Sequence, residues 1–356
     1  MRPKVAIVLF NLGGPDSLDA VWPFLRNLFS DPAILRVPWP VRFFLARIIA
    51  RARLRPATEN YRLLGGKSPL LEMTEAQARA IEAALPELDA KCFVAMRYWH
   101  PFSLAAARAV KTWRPDEVVL LPLYPHHSTT TTGSSLTAWR TAAARVGLIA
   151  PTSALCCYPT DPDFIAATLA IVREAYEKAR AALDPSVPLR ILFSAHGLPE
   201  KIIREGDPYQ YQIEQTVAAV IDAWRRNDLD WRICYQSRAT PVKWIEPSTD
   251  AEVERAGHDK TAVLVVPIAF TAEHTETLVE LDIEYKELAD RSGVPGYFRV
   301  PTHQADGNFI LAMANLVRFA RGEGIGLHAA CDIAACMAAN PQCPLRMRQA
   351  AAVRAG

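Results

Sequence analysis

What most constrains this chain is an alternation of two hydrophobic patterns. Short β-branched apolar runs recur along it: "VAIVLFNL", "KCFVAMRY", "EVVLLPLYP", "TSALCCYP", "LRILFSAHG", "RICYQS", "AVLVVPIAF" and the weaker "GYFRVP". Most are nearly continuous, as strands covered on both faces should be. Amphipathic stretches separate them, such as "TEAQARAIEAAL", "PFSLAAARAVKTW", "DFIAATLAIVREAYEKARAAL" and "GNFILAMANLVRFA". Strand alternating with helix predicts an α/β protein with parallel sheets. Eight strands allow one large sheet or two sheets of four. A division near residues 150–161 gives each half its own set, so two four-stranded sheets are expected.

The 356 residues are enough for two domains with real cores. Half are hydrophobic and 22% are charged, a globular composition. Net charge is 40 − 38 = +2, which argues against nucleic acid as the main partner. The N-terminal run Val5–Phe10 is too short for a signal-peptide core and lacks a small-residue cleavage site. No apolar run approaches the ~18 residues of a membrane span. The expected location is the cytoplasm. There, the odd count of seven cysteines suggests thiols or metal ligands rather than disulfides.

Two stretches break the alternation. Residues 30–70 are too long for an ordinary connection. Their core "WPVRFFLARIIARARLR" mixes large apolar residues with Arg42, Arg47, Arg51, Arg53 and Arg55. That suits a membrane-surface helix or a lid over an apolar ligand; a packed helix with a solvated basic face fits as well. The second stretch is the tail after Gly324, which bears cysteines and little pattern.

In open parallel sheets, ligands bind beyond the carboxyl ends of the strands. The unusual residues of this chain gather there: Asn11 in "NLGGPDS", Arg97, Tyr98 and His100 in "MRYWHPF", the run "YPHHSTTTTGSS", His196 in "SAHGLP", "YQSRATPVKW" and "FTAEHTE". Neither a dinucleotide fingerprint nor a P-loop is present. The "STTTTGSS" run reads equally as an anion nest or a long helix-capping loop.

The segment "AFTAEHTETLVELDIEY" carries an unusual load of acid. As a helix it sets Glu273, Glu276, Glu280, Glu284 and Glu287 at steps of three and four, one stripe of carboxylates. Like charges at that spacing cost about 0.2–0.5 kcal/mol per pair. A solvated acidic face opposite Leu278, Leu281, Tyr285 and Leu288 is one reading. The other brings His196 against Glu276. Such a pair can share proton transfer or ligate a divalent first-row metal such as Fe²⁺.

Taken together, "LFNLGGPDSL", "RYWHPF", "LPLYPHHSTTTTGSS", "FSAHGLPEKIIREGDPY", "YQSRATPVKWIEPSTD" and "VVPIAFTAEHTETLVELDIEY" resemble the ferrochelatases, which insert Fe²⁺ into protoporphyrin IX. They span nearly the whole chain in the family order and are closest to the proteobacterial and mitochondrial branch. The resemblance implies two similar Rossmann-like domains of chelatase type. The expected division is 1–150 with an active-site lip at 30–70, 151–305, and a helix and tail at 306–356. It implies protohaem formation with release of two protons, the last step of haem biosynthesis, and no nucleotide. A non-catalytic porphyrin or haem carrier, or a chelatase for coproporphyrin or another divalent metal, are the alternatives.

The resemblance also assigns residues. His196 matches the family's active-site histidine and Glu276 its partner glutamate; Glu273, His274 and Glu280 match neighbouring metal or proton-relay positions. Substrate contacts fall to Asn11, Leu12, Arg62, Tyr98, Tyr124, Ser128, Gln236, Ser237 and Trp244. Aromatic and aliphatic walls suit a planar porphyrin, and Arg or hydroxyl groups suit its propionates. Glu284 and Glu287 are expected at the surface. Cys331, Cys336 and Cys343 match a tail that carries a [2Fe–2S] cluster in some relatives. Thr129 stands where the mitochondrial pattern has its fourth cysteine. Cys156 and Cys157 offer a substitute; strand alternation points them to opposite faces, so only one can serve, and Cys157 is preferred. A homodimer and peripheral contact with the inner membrane through the lip are further implications.

Overall fold

The computed structural model describes residues 2–237 and 242–355, with side chains through Gln349. Residues Arg238–Pro241 of the "YQSRATPVKW" segment lie outside the described residues. Nine strands run along the described chain: β1 Lys4–Asn11, β2 Asp89–Met96, β3 Glu117–Pro122, β4 Thr152–Leu155, β5 Leu189–His196, β6 Asp230–Gln236, β7 Ala262–Pro267, β8 Tyr297–Arg299 and β9 Gly326–His328. They form two parallel sheets, in the orders β2-β1-β3-β4-β9 and β6-β5-β7-β8. The chain divides into two compact units. One comprises residues 1–157 and 313–329, the other 158–312 and 330–356.

Each sheet explains its sequence. In the first, β1 lies between β2 and β3, and Val5 to Phe10 are fully buried. In the second, β5 lies between β6 and β7, and Ile191, Leu192 and Phe193 are fully buried. A strand flanked and covered in this way has no solvent face, so its apolar run need not alternate. The edge strand β8 is half-buried throughout, which is why "GYFRVP" gave a weaker signal.

The first sheet has five strands, not four. The fifth, β9, comes from the tail that looked unpatterned. Its pairs Ser153↔Gly326, Ala154↔Leu327 and Leu155↔His328 extend the sheet beyond β4. Three residues are too few to show a period, so the neighbouring strand decides their conformation.

The 30–70 segment contains a 25-residue helix, Trp39–Leu63, that buries Ala46, Ala50 and Tyr61. Trp39, Phe44 and Ile48 remain 68%, 65% and 64% exposed. Among the described residues, no helix is long and apolar enough to cross a membrane.

The acidic segment departs from its expected geometry. Glu276–Glu284 is a π-helix that continues as an α-helix over Tyr285–Ser292. A π-helix bonds i to i+5 and turns more slowly than an α-helix. Steps of three and four therefore no longer trace one stripe. Glu284 and Glu287 are exposed, whereas Glu273 is buried before the helix begins. Leu281, Tyr285 and Ala289 pack with Leu192, Val263 and Val265, which seats the helix on the second sheet.

Candidate active site

His196 is the last residue of β5, and Glu276 is the first of the π-helix that follows β7. His196 lies at, and Glu276 beyond, the carboxyl end of adjacent strands, where an open sheet presents a ligand site. His196 Nδ1 stands 2.9 Å from Glu276 Oε2. Their side chains are 33% and 25% exposed, open enough to meet a ligand. Burial opposes both charges, but each supports the other. Net, the imidazole is held above its usual range, and the Glu276 carboxyl is held down at about 2. Trp244 stands edge-on to the imidazole, ring centres 6.5 Å apart. Gly197 makes this possible, since a Cβ there would meet Gln236 O at 2.9 Å and the Trp244 ring at 3.3 Å.

Glu280 lies one turn further along. Its carboxylate accepts from Ser237 N at 2.8 Å, Ser237 Oγ at 2.5 Å and Gln236 Nε2 at 3.3 Å. Tyr285, five residues on, reaches it with its hydroxyl at 3.4 Å, a contact that suits π-helical spacing. Burial and then the Glu276 charge push Glu280 up to about 7, against the pull of these donors. Gln236 also donates to Glu276 O at 3.0 Å and accepts from Ser194 Oγ at 2.8 Å. The end of β6 thus holds the π-helix by backbone and side chain together. Ser237 adopts φ +67, the left-handed region that costs a non-glycine residue free energy and is enriched at functional sites.

Glu273 does not join this group, and His274 meets it through charge rather than a hydrogen bond, interacting with both Glu276 and His196. Glu273 is 3% exposed and turns to Arg299 Nη1 at 3.0 and 3.2 Å and to Thr302 N at 2.9 Å. Arg299 and the other donors outweigh burial and hold its carboxyl low. His274 packs edge-on against Phe270, and its Nδ1 has no hydrogen-bond partner. Burial lowers its pKa and so favours the neutral ring. Among the described residues, no three His, Cys, Asp or Glu side chains converge as a ready metal set. Of the five metal candidates, the fold joins His196 to Glu276, puts Glu280 and His274 within electrostatic reach of them, and turns Glu273 to Arg299.

In the first unit, Asn11 closes β1, Leu12, Tyr98, Tyr124 and Ser128 follow the ends of β1, β2 and β3, and Arg62 lies on the helix Trp39–Leu63. Asn11 is buried and donates to Thr74 Oγ1 at 3.0 Å, while its side-chain oxygen accepts from Leu12 N at 2.8 Å. Leu12 packs on a cluster containing Phe24, Tyr61 and Tyr98. Tyr98 is fully buried and donates to Asp31 Oδ2 at 2.9 Å. Tyr124 is packed against the core around Trp139. Ser128 is buried, 2.8 Å from the Thr130 hydroxyl. Arg62 is mostly exposed and pairs with Glu59 at 2.8 Å.

Sequence reasoning missed two residues. Asp31 is 4% exposed and gathers Arg97 Nη2 at 2.7 Å, Tyr98 Oη at 2.9 Å and Ser134 Oγ at 2.5 Å. It stands in "FSDPAIL", which the motif reading does not single out. Arg299 stood in the weakest strand candidate. A long cationic side chain inside an apolar run was its available signal.

The cysteines correct one expectation. Cys156 and Cys157 lie beyond the last residue of β4, Leu155. Strand alternation does not govern them there, and their sulfurs are 3.4 Å apart rather than on opposite faces. In the second unit, Cys336 receives Gln212 Nε2 at 3.4 Å. Its thiol is pushed up in pKa, first by the Cys331 thiol, and that of Cys343 is pushed up first by Cys336.

Comparison with known proteins fits this geometry. The chain matches the profile of the family described as "Ferrochelatase" over residues 4–320. The chain belongs to the ferrochelatase family. A protein named "Ferrochelatase" from Caulobacter vibrioides (strain NA1000 / CB15N) is 50% identical over 350 residues, covering 97% of this chain and 99% of that relative. One of the same name from Pelagibacter ubique (strain HTCC1062) is 45% identical over 318 residues, 88% of this chain and 90% of that protein. Among solved structures, "SirB from Bacillus subtilis with Fe3+" is similar with a TM-score of 0.53 at 12% identity, covering 88% of this chain and 94% of that one. At that identity the likeness concerns the fold, a chelatase-type α/β architecture. In this chain, the His196–Glu276 pair stands at the sheet edge where parallel α/β folds bind ligands.

Proposed function

We propose that this chain inserts Fe²⁺ into protoporphyrin IX, giving protohaem and two protons. The observation that carries this reading is the half-exposed pair of His196 and Glu276, 2.9 Å apart at the carboxyl edge of the second sheet. The reaction needs a base for the pyrrole N–H protons and oxygen or nitrogen donors that will release a first-row dication. Glu276 raises the basicity of His196, so the imidazole accepts a pyrrole proton. Glu280, poised near neutral pH, takes or relays the second. A partial ligand set suits iron as a substrate. Four strong protein ligands would close the coordination sphere and keep the metal.

Asn11, Leu12, Arg62, Tyr98, Tyr124, Ser128, Gln236, Ser237 and Trp244 are assigned to substrate contact on the family resemblance. Cys331, Cys336 and Cys343 are assigned to a [2Fe–2S] cluster. That assignment rests on the family resemblance and on the affinity of such clusters for cysteine thiolates; among the described residues the three thiols do not converge as a ready metal set. Iron and sulfide analysis of anaerobically purified protein tests this, with Cys156→Ser and Cys157→Ser seeking the fourth ligand. The exposed Trp39, Phe44 and Ile48 support peripheral membrane contact by the lip. A homodimer is the assembly that the family resemblance suggests, and sedimentation analysis tests it.

The deciding experiment adds protoporphyrin IX and Fe²⁺ to the protein without oxygen and follows loss of porphyrin fluorescence. Haem formation that disappears in His196→Ala is expected. Porphyrin binding without metal insertion sinks the reading.

A further inference from the structure

We propose that Arg299 is a positioning residue, which withholds Glu273 from the metal and anchors, through Asp282, the π-helix that presents Glu276 and Glu280. The inference rests on the iron-insertion reading for its kinetic consequences and on geometry for the rest.

Arg299 ends the edge strand β8, in register with Val265 of β7. Its guanidinium lies under the π-helix and is 12% exposed. Nε and Nη2 donate to the two oxygens of Asp282 at 2.5 and 2.8 Å, a bidentate fork. Nη1 donates to both oxygens of Glu273 and to Val300 O. One side chain therefore spans the approach to the helix and its middle. Two residues earlier on the same face of β8, Tyr297 Oη donates to Leu281 O at 2.6 Å. Residues 281 and 282 are thus gripped together by a single strand.

Only a planar, five-donor cation can make both contacts. Lysine is a point charge and would serve one carboxylate at a time. The arrangement also answers the problem posed by so much acid in one segment. Arg299 neutralises part of it, leaving Glu276 to His196 and Glu280 to Ser237. Without the guanidinium, the buried Glu273 would hold a proton or turn to another cation. An incoming divalent metal is such a cation. Supporting groups of this kind commonly govern metal affinity or activity by about 10- to 100-fold.

The test uses Arg299→Lys, Arg299→Met and Tyr297→Phe in the full chain. Insertion kinetics are measured with Fe²⁺, and metal binding separately by Co²⁺ titration without porphyrin. For Arg299→Lys, kcat is expected to fall about 10- to 100-fold with the porphyrin KM unchanged. Tyr297→Phe should fall in the same sense but less. Arg299→Met should bind more Co²⁺ than the unmodified protein as Glu273 is released. If Arg299→Met does not fold, the other two variants decide. Folded Arg299→Lys with unaltered kcat and Co²⁺ titration overturns the proposal. So does a lowered melting temperature with unaltered metal binding, which marks Arg299 as a mere structural tie. If the unmodified protein itself inserts no iron, the functional reading fails, and the Co²⁺ titrations still decide the role of Arg299.

Discussion

His196 Nδ1 and Glu276 Oε2 lie 2.9 Å apart, though 80 residues separate them in the chain. The histidine is fixed at the end of a buried strand and the glutamate at the start of a helix seated on the same sheet. Their geometry is preorganised, so each should matter through the other. Glu276→Gln keeps the shape and removes the charge. Iron insertion in Glu276→Gln or His196→Ala should fall about 10²- to 10⁴-fold. The double variant should lose little more, because groups acting as a unit are not additive. Single-turnover insertion measures this, and a double loss equal to the product of the single losses would contradict it.

Glu280 gives a pH dependence of defined sign. Its carboxyl is raised from 4.5 to about 7, so it is protonated below neutral pH and ionised above. As a proton acceptor it works only when ionised. The rate should therefore rise with pH through about 7, and Glu280→Gln should remove that limb. The stability effect runs the other way. The folded chain holds this proton more tightly than the unfolded one, so its contribution to stability declines as pH rises from about 4.5 to 7. Denaturant midpoints of the parent and Glu280→Gln across that range check the slope.

Tyr98 is expected to act on stability. It is fully buried and bonds the carboxylate of Asp31. A hydrogen bond to a charged group contributes about 1.5–3 kcal/mol. Tyr98→Phe should lower unfolding free energy by about that amount in urea titration. An unchanged midpoint and slope would show that the hydroxyl does nothing for the fold.

Gly197 is required by close approach, not by an unusual backbone angle. Gly197→Ala would force its Cβ against Gln236 O and the Trp244 ring. Overpacking of this kind costs about 1–3 kcal/mol, and here it would displace Gln236, which holds both Glu276 and Glu280. Reduced kcat is expected together with reduced stability. A folded variant with full activity would show that the end of β6 yields without consequence.

The lip gives a binding prediction. Replacing Trp39, Phe44 and Ile48 together by serine should abolish co-sedimentation with anionic liposomes without lowering the melting temperature, since all three are exposed. Parent protein that stays in the supernatant would remove the membrane reading.

The sequence by itself determined the parallel sheets, the order of the motifs and the family. Each rests on local information: continuous apolar runs such as Val5–Phe10 can be buried on both faces, and "SAHGLP" with "ETLVELDIEY" stands as contiguous text. It also singled out His196 and Glu276, because unusual residues at strand ends converge in a parallel sheet. The tertiary structure decided what local pattern could not. It made the acidic segment a π-helix, where α-helical spacing had predicted one stripe. Packing on the sheet and the grip of β8 compete there with intrinsic helical periodicity. It gave Glu273 to Arg299 and kept Glu280 near the histidine, although both are glutamates in one segment. It also put a fifth strand in the first sheet from a segment without pattern. Which carboxylate is paired, and which is left to titrate, depends on partners distant in sequence, and only the folded chain brings those partners within reach.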